Sequence, residues 1–154
     1  HRARHEVSWL WKVFHQLHHS PSRMEVLTTF YRHPLEIVAN ALLGGLVVFA
    51  LLGLGPIEAT IYATMMVSVQ LLYHANIQTP HWLGYIIQRP EMHSIHHREG
   101  YHRNNYGDLA VWDLVFGTWE NPIAADNRCG FAAGQELRIS DMLLCRDVHK
   151  DHTK

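Results

Sequence analysis

Residues 35–73 read LEIVANALLGGLVVFALLGLGPIEATIYATMMVSVQLLY, and their reading decides the fold. The run divides at Gly53-Leu54-Gly55-Pro56, a helix stop followed by a restart. Before the division, 35–54 carries one charge, Glu36; after it, 57–76 carries only Glu58. About twenty helical residues reach about 30 Å, the thickness of a bilayer's hydrocarbon core. The two segments therefore predict a transmembrane hairpin, about 35–54 and 57–76, the second reaching full length only if the helix runs on through Ala75 to Ile77. The alternative is a pair of buried helices in a soluble protein. Lys and Arg are placed asymmetrically: Arg2, Arg4, Lys12, Arg23 and Arg32 precede the hairpin, Arg89, Arg98 and Arg103 follow it, and the turn has none. By the positive-inside rule both flanks lie in the cytoplasm.

Working outward, each flank of the hairpin carries histidines at helical spacing. HRARH (1–5) and HQLHH (15–19) come before it, and MHSIHH (92–97) comes after it. Positions i, i+3 and i+4 share a helix face, so His15, His18 and His19 project together, as do His93, His96 and His97. His1 and His5 are one turn apart. In one unbroken helix His5 and His15 would be about 15 Å apart along the axis, too far to share a metal pair, which predicts a break near Ser8. A chain that crosses a membrane twice returns to its starting side, so the two boxes can meet there, and His74, at the returning end of the second span, points into the same region. An ionisable residue in such a place is a functional candidate.

Neutral imidazole favours iron, zinc or copper over magnesium or calcium. Nine histidines exceed the positions around one metal, so two metals are expected, and a nearly all-nitrogen site suits iron redox chemistry. The other reading is a non-oxidative zinc-binding membrane protein, a hydrolase or metal-transport module; a catalytic zinc typically keeps three protein ligands and a water. Ligand histidines usually need an outer acceptor, for which Glu25, Glu91, Asp108 and Asp113 are candidates. His33 reads as a polar helix-start residue and His81 as an interface residue. His102 is open as an outer partner or a ligand, and His149 and His152 have no visible role in the tail.

Composition narrows the remaining classes. The net charge of -1 gives no basic excess for nucleic acid. Cys129 and Cys145 are in no CxxC pairing, which suggests neither a zinc ribbon nor a disulfide framework. Short helices are expected at 9–19 and about 91–97, a short packed one in the apolar, aromatic VWDLVFGTW (111–119), and an amphipathic one in ELRISDMLL of a C-terminal tail that starts near 120. HWLGYIIQR offers Trp82 and Tyr85 to a membrane interface. The expected fold class is thus all-α: an integral membrane protein with one hairpin and a cytoplasmic, histidine-rich metal-binding cap, 1–154 forming one domain.

The order of motifs resembles the fatty acid hydroxylase/sterol desaturase superfamily of membrane di-iron oxygenases. The match runs HRARH, HQLHH followed by SP, HPLE opening the hairpin, YHANI closing it, MHSIHH, NYGD and WDLVFGTWENP. It covers roughly 1–122, and GF, DML and RDV in the tail resemble bacterial members. The resemblance implies two iron ions held by His1, His5, His15, His18, His19, His74, His93, His96 and His97, with O2 as co-substrate and zinc possible in place of iron. It implies hydroxylation, desaturation or demethylation of a lipid, a sterol or fatty-acyl chain, with electrons from a separate donor, a reductase of ferredoxin or cytochrome b5 type. Some members carry a further histidine one turn after the position of His74, where this chain has Gln78. Members also have membrane helices before the first box, so an N-terminally truncated sequence is expected.

Overall fold

The computed structural model describes residues 1–125 and 128–149. The described residues are helical, with two isolated bridges and no strand, so the architecture is all-α as expected. The first helix, α1 (Arg2–Glu6), ends at Val7, which is extended at φ -101° and ψ 110°. Next come α2 (Ser8–Leu10), a π-helical turn (Trp11–His15) and α3 (Gln16–His19). The expected break is present, one residue before Ser8, and Ser8 opens the helix without a capping bond from its side chain. Extra π residues often mark functional sites; here the turn ends on His15.

The first apolar helix begins where His33-Pro34 predicts. Leu35 N–H donates to His33 Nδ1 at 3.1 Å, and Pro34 needs no hydrogen-bond partner for its nitrogen in the first turn. α4 (Pro34–Gly45) continues into a π-helical segment (Leu46–Leu51), and together they form the helix long and apolar enough to cross a membrane among the described residues. Gly53, at φ 62°, turns the chain into α5 (Pro56–His74). This second helix stops two residues short of the expected end at 76, because Ala75 is extended. It does not match α4 in apolarity, since Thr60, Thr64, Ser68 and Gln70 interrupt it. The closer packing of both helices is at their bases: α4 against the Trp11–His15 turn, and α5 against a 3-10 turn (Val26–Phe30) and α6 (Pro90–His96). Their outer faces are bare, with Leu42, Leu46 and Ile57 among the exposed side chains.

One feature differs from expectation. α7 (Ala110–Phe116) was expected to pack its apolar face, yet Val111, Trp112, Leu114, Val115 and Phe116 are all exposed. The reason is Asp113, which is buried and turns inward to serve a loop, leaving the apolar face outside. The C-terminal tail contributes to the core. Phe131, Met142 of α8 (Ile139–Leu143) and Val148 form a core with Leu17, packed by Trp11 and Tyr31. Gln16, fully buried, donates to the Arg146 carbonyl at 2.8 Å and accepts from Val148 N–H at 3.0 Å. The tail thus backs the helix that carries the first HxxHH box.

Candidate metal centre

All nine histidines singled out above converge, and they form two groups. His1, His5, His15, His19 and His96 offer ring nitrogens within 4.8 Å of one another; His18, His74, His93 and His97 do the same. Seven of the nine are buried, the exceptions being His1 and His5. Each HxxHH box divides between the groups. His15 and His19, one turn apart, go to the first group and His18 to the second, whereas His93 and His97 go to the second and His96 to the first. On a helix i and i+4 differ by about 40° and i and i+3 by about 60° the other way, so one box reaches two neighbouring points.

The outer nitrogens explain why the inner ones are bare. His1 Nδ1 faces the Tyr106 carbonyl at 2.6 Å, and His15 Nδ1 faces Glu36 Oε1 at 3.0 Å. His18 Nδ1 faces the Tyr31 carbonyl at 3.2 Å, His74 Nδ1 the Gln70 carbonyl at 2.8 Å, and His96 Nδ1 the Asn104 carbonyl at 2.7 Å. Each of these Nδ1 atoms donates, so in the neutral ring Nε2 carries only a lone pair. Yet His1 Nε2 and His15 Nε2 are 2.8 Å apart, and His18 Nε2 and His74 Nε2 are 3.3 Å apart. Facing lone pairs repel unless a cation or a proton lies between them. A proton is disfavoured: burial holds His15, His18, His19, His93 and His97 well below the ordinary imidazole value and His96 at about 3, with neighbouring histidines adding to the effect. Neutral, desolvated nitrogens at these separations suit a metal such as iron or zinc.

Glu36 is the acceptor that sequence reasoning missed. It is fully buried in the first turn of α4 and takes both His15 Nδ1–H and Arg4 Nη1–H on Oε1, each at 3.0 Å, while Arg4 Nη2 donates to Asn40 Oδ1 at 2.6 Å. The signal was its place, a lone charge opening an apolar helix. The four carboxylates named as candidates serve elsewhere. Glu25 pairs with Arg23 on the surface, and Glu91 accepts from Thr79 and pairs with the buried Arg89. Asp108 meets Tyr73. Asp113 accepts from Tyr106 N–H, Gly107 N–H and Thr118 Oγ1.

The loop around NNYGD was also missed as a working part. Asn104 and Asn105 adopt positive φ, 64° and 46°, a conformation Asn tolerates better than most residues. Asn105 is fully buried, donating to the Met92 and Glu120 carbonyls and accepting from Glu120 N–H. With Asp113 holding the next two amides, the loop presents the Asn104 and Tyr106 carbonyls to His96 and His1. His102, left open above, lies outside both groups, with Nδ1 3.2 Å from His19 Nδ1. Burial lowers its value to about 4. His33 caps α4, His81 Nε2 donates to the Asn121 carbonyl near the surface, and Gln78 is exposed. His149 is exposed, stacking its ring edge on Phe131, and His152 lies outside the described residues.

Several known proteins are similar to this chain in sequence. Ornithine lipid hydroxylase of Rhizobium tropici is 34% identical over 129 residues, covering 79% of this chain and 38% of that protein. A fatty acid hydroxylase of a Lecanicillium species is 32% identical, over 77% of this chain and 37% of its own length. Human alkylglycerol monooxygenase is 31% identical, over 78% of this chain and 27% of its own. The chain therefore spans well under half the length of these relatives. No solved structure matches it significantly. The sequence model of the fatty acid hydroxylase family matches residues 1–118, and the chain belongs to that family.

Proposed function

We propose that the chain holds the metal centre of a membrane non-haem di-iron oxygenase that hydroxylates or desaturates a lipid. The observation that carries this reading is the pair of Nε2–Nε2 contacts, His1 with His15 and His18 with His74, between rings whose other nitrogens are engaged as donors. His1, His5, His15, His19 and His96 would hold one iron, and His18, His74, His93 and His97 the other. Bound iron would supply the redox chemistry: with two electrons from a separate reductase, ferredoxin or cytochrome b5-type donor and two protons, O2 would put one atom into a C–H bond and leave the other as water in hydroxylation, or remove two hydrogens and leave both atoms as water in desaturation. The chain's own groups fix ring orientation, through Glu36 and the carbonyls of Tyr31, Gln70, Asn104 and Tyr106. Relatives named as hydroxylases and monooxygenases support oxidative chemistry and do not favour the non-oxidative zinc reading.

The same reading takes 1–154 as one domain, with a membrane hairpin at about 35–76, a C-terminal tail from 120 and the histidine cap on the cytoplasmic side. The bare apolar faces of α4 and α5 support the membrane placement. So do the hydroxyls of Thr60, Thr64 and Ser68, each donating at 2.8 Å to the carbonyl one turn back, which leaves none of these three as an unpaired donor in lipid. The test is lipid analysis of cells expressing the intact protein under 18O2, with iron measured on the purified protein. Iron-dependent 18O labelling of a lipid, or an iron- and O2-dependent new double bond in one, is expected. Full activity without iron or without O2 would overturn the reading.

A further inference from the structure

Three rings of the first group have outer partners that can only accept. His1 faces the Tyr106 carbonyl, His15 the Glu36 carboxylate and His96 the Asn104 carbonyl. Each therefore holds its proton on Nδ1 and its lone pair on Nε2. His19 differs. Its Nδ1 lies 3.2 Å from Nδ1 of another imidazole, His102, which can donate or accept. His19 Nε2 is buried, with no hydrogen-bond partner among the described residues.

The two proton arrangements of this pair have opposite consequences. If His102 donates, the neutral His19 ring must carry its own proton on Nε2, where it would block a metal. If His102 accepts, His19 donates from Nδ1 and turns a bare Nε2 inward. Only the second arrangement makes His19 a ligand. It puts the proton of His102 on Nε2, which has no partner among the described residues.

Packing sets the place of the His102 ring. It meets the His19 ring edge-on, with centroids 5.2 Å apart and planes at 89°. Trp11 lies against it at 5.6 Å, and Phe131 meets it edge-on at 5.3 Å. Phe131 is fully buried in the core that the C-terminal tail forms with Leu17, so the tail reaches the metal centre through this ring. The backbone is committed as well. His102 has φ 44°, a region that non-glycine residues occupy sparsely and keep where their surroundings over-determine it. Its amide donates to the Arg98 carbonyl at 3.3 Å. Its backbone also lies against the ring of His5, in a looser contact that leaves His5 Nδ1 without a hydrogen bond of ordinary geometry.

We propose that His102 is a positioning residue of the first metal group, its Nδ1 accepting the Nδ1–H of His19 so that His19 turns an unprotonated Nε2 to the metal. The inference rests on the two-metal reading of the nine histidines, and His102 itself belongs to neither group.

The test uses the intact protein, purified from cells grown on 57Fe, and two variants. His102→Gly keeps the left-handed backbone and removes the ring. His102→Asn also suits that backbone and offers Oδ1 as an acceptor at the branch position of Nδ1, but fills less of the space between Trp11 and Phe131. Chelator competition is expected to show one of the two irons held about ten- to a hundredfold more weakly in His102→Gly, the other iron unchanged, and His102→Asn close to wild type. The Mössbauer spectrum is expected to change for one iron in the glycine variant and to return toward wild type in the asparagine variant. Equal loss in both variants would mean that the ring acts by packing alone and would overturn the inference, as would wild-type binding by His102→Gly. In either case a wild-type protein with two irons leaves the metal reading standing, whereas a wild-type protein with no bound metal overturns both.

Discussion

His19 and His97 stack face to face, ring centroids 3.9 Å apart and planes 11° from parallel, yet they belong to different histidine groups. The stack is the wall between the two groups, and each ring comes from the last position of its HxxHH box. The division of the boxes has a consequence for substitution. His19→Ala and His96→Ala remove nitrogens from the first group, and His18→Ala and His93→Ala from the second. Each is expected to lower bound iron from about two per chain toward one, and a double variant taking one residue from each group toward none. Metal quantification on purified variants reads this directly; loss of both metals in every single variant would mean one indivisible site.

Glu36→Gln keeps the size of the side chain and removes its charge. His15 then lacks a carboxylate acceptor for Nδ1–H, and Arg4 loses its ion pair. Loss of such an outer partner typically costs about 10–100-fold in metal affinity. Competition with a chelator measures it, and the first group is expected to release metal before the second.

Asp113→Ala removes the acceptor for two loop amides and the Thr118 hydroxyl. Buried groups left unpaired cost about 1–3 kcal/mol each, so a fall in melting temperature is expected. Because the loop carries the carbonyls that face His1 and His96, the first group is expected to lose metal affinity more than the second. Equal loss from both groups would argue against the loop's role.

The metal-free protein is expected to lose stability as pH falls below about 6.5, the ordinary imidazole value. The sign follows from burial, which lowers the folded-state values of His15, His18, His19, His93 and His97. The unfolded chain then binds more protons than the folded one below 6.5, and stability present above that pH is lost progressively as pH falls. At pH 5.5 each such ring costs about 1.4 kcal/mol. Thermal melts of metal-depleted protein at pH 7.5 and 5.5 check this; a higher melting temperature at pH 5.5 would contradict it.

Much of this architecture was legible in the sequence because it rests on local periodicity. The spacing of His15, His18 and His19, the His33-Pro34 helix start and the break between His5 and His15 all follow from helix geometry. The division of each box between two groups did not follow, since it depends on how α3 and α6 approach each other. Glu36 was hidden for a similar reason: its partners Arg4 and His15 lie 32 and 21 residues away. The NNYGD loop was visible only as a motif, because its function is carried by backbone carbonyls. α7 misled because an apolar aromatic run suggests packing, and the one polar residue in its middle, Asp113, decides which face turns inward.

The central claim is that the nine histidines hold two irons. Native mass spectrometry of the intact protein, purified from iron-replete cells, tests it most directly by giving the number and mass of bound metals together. Two irons per chain is the predicted result. One metal, or zinc alone in protein that still oxidises lipid, would contradict it.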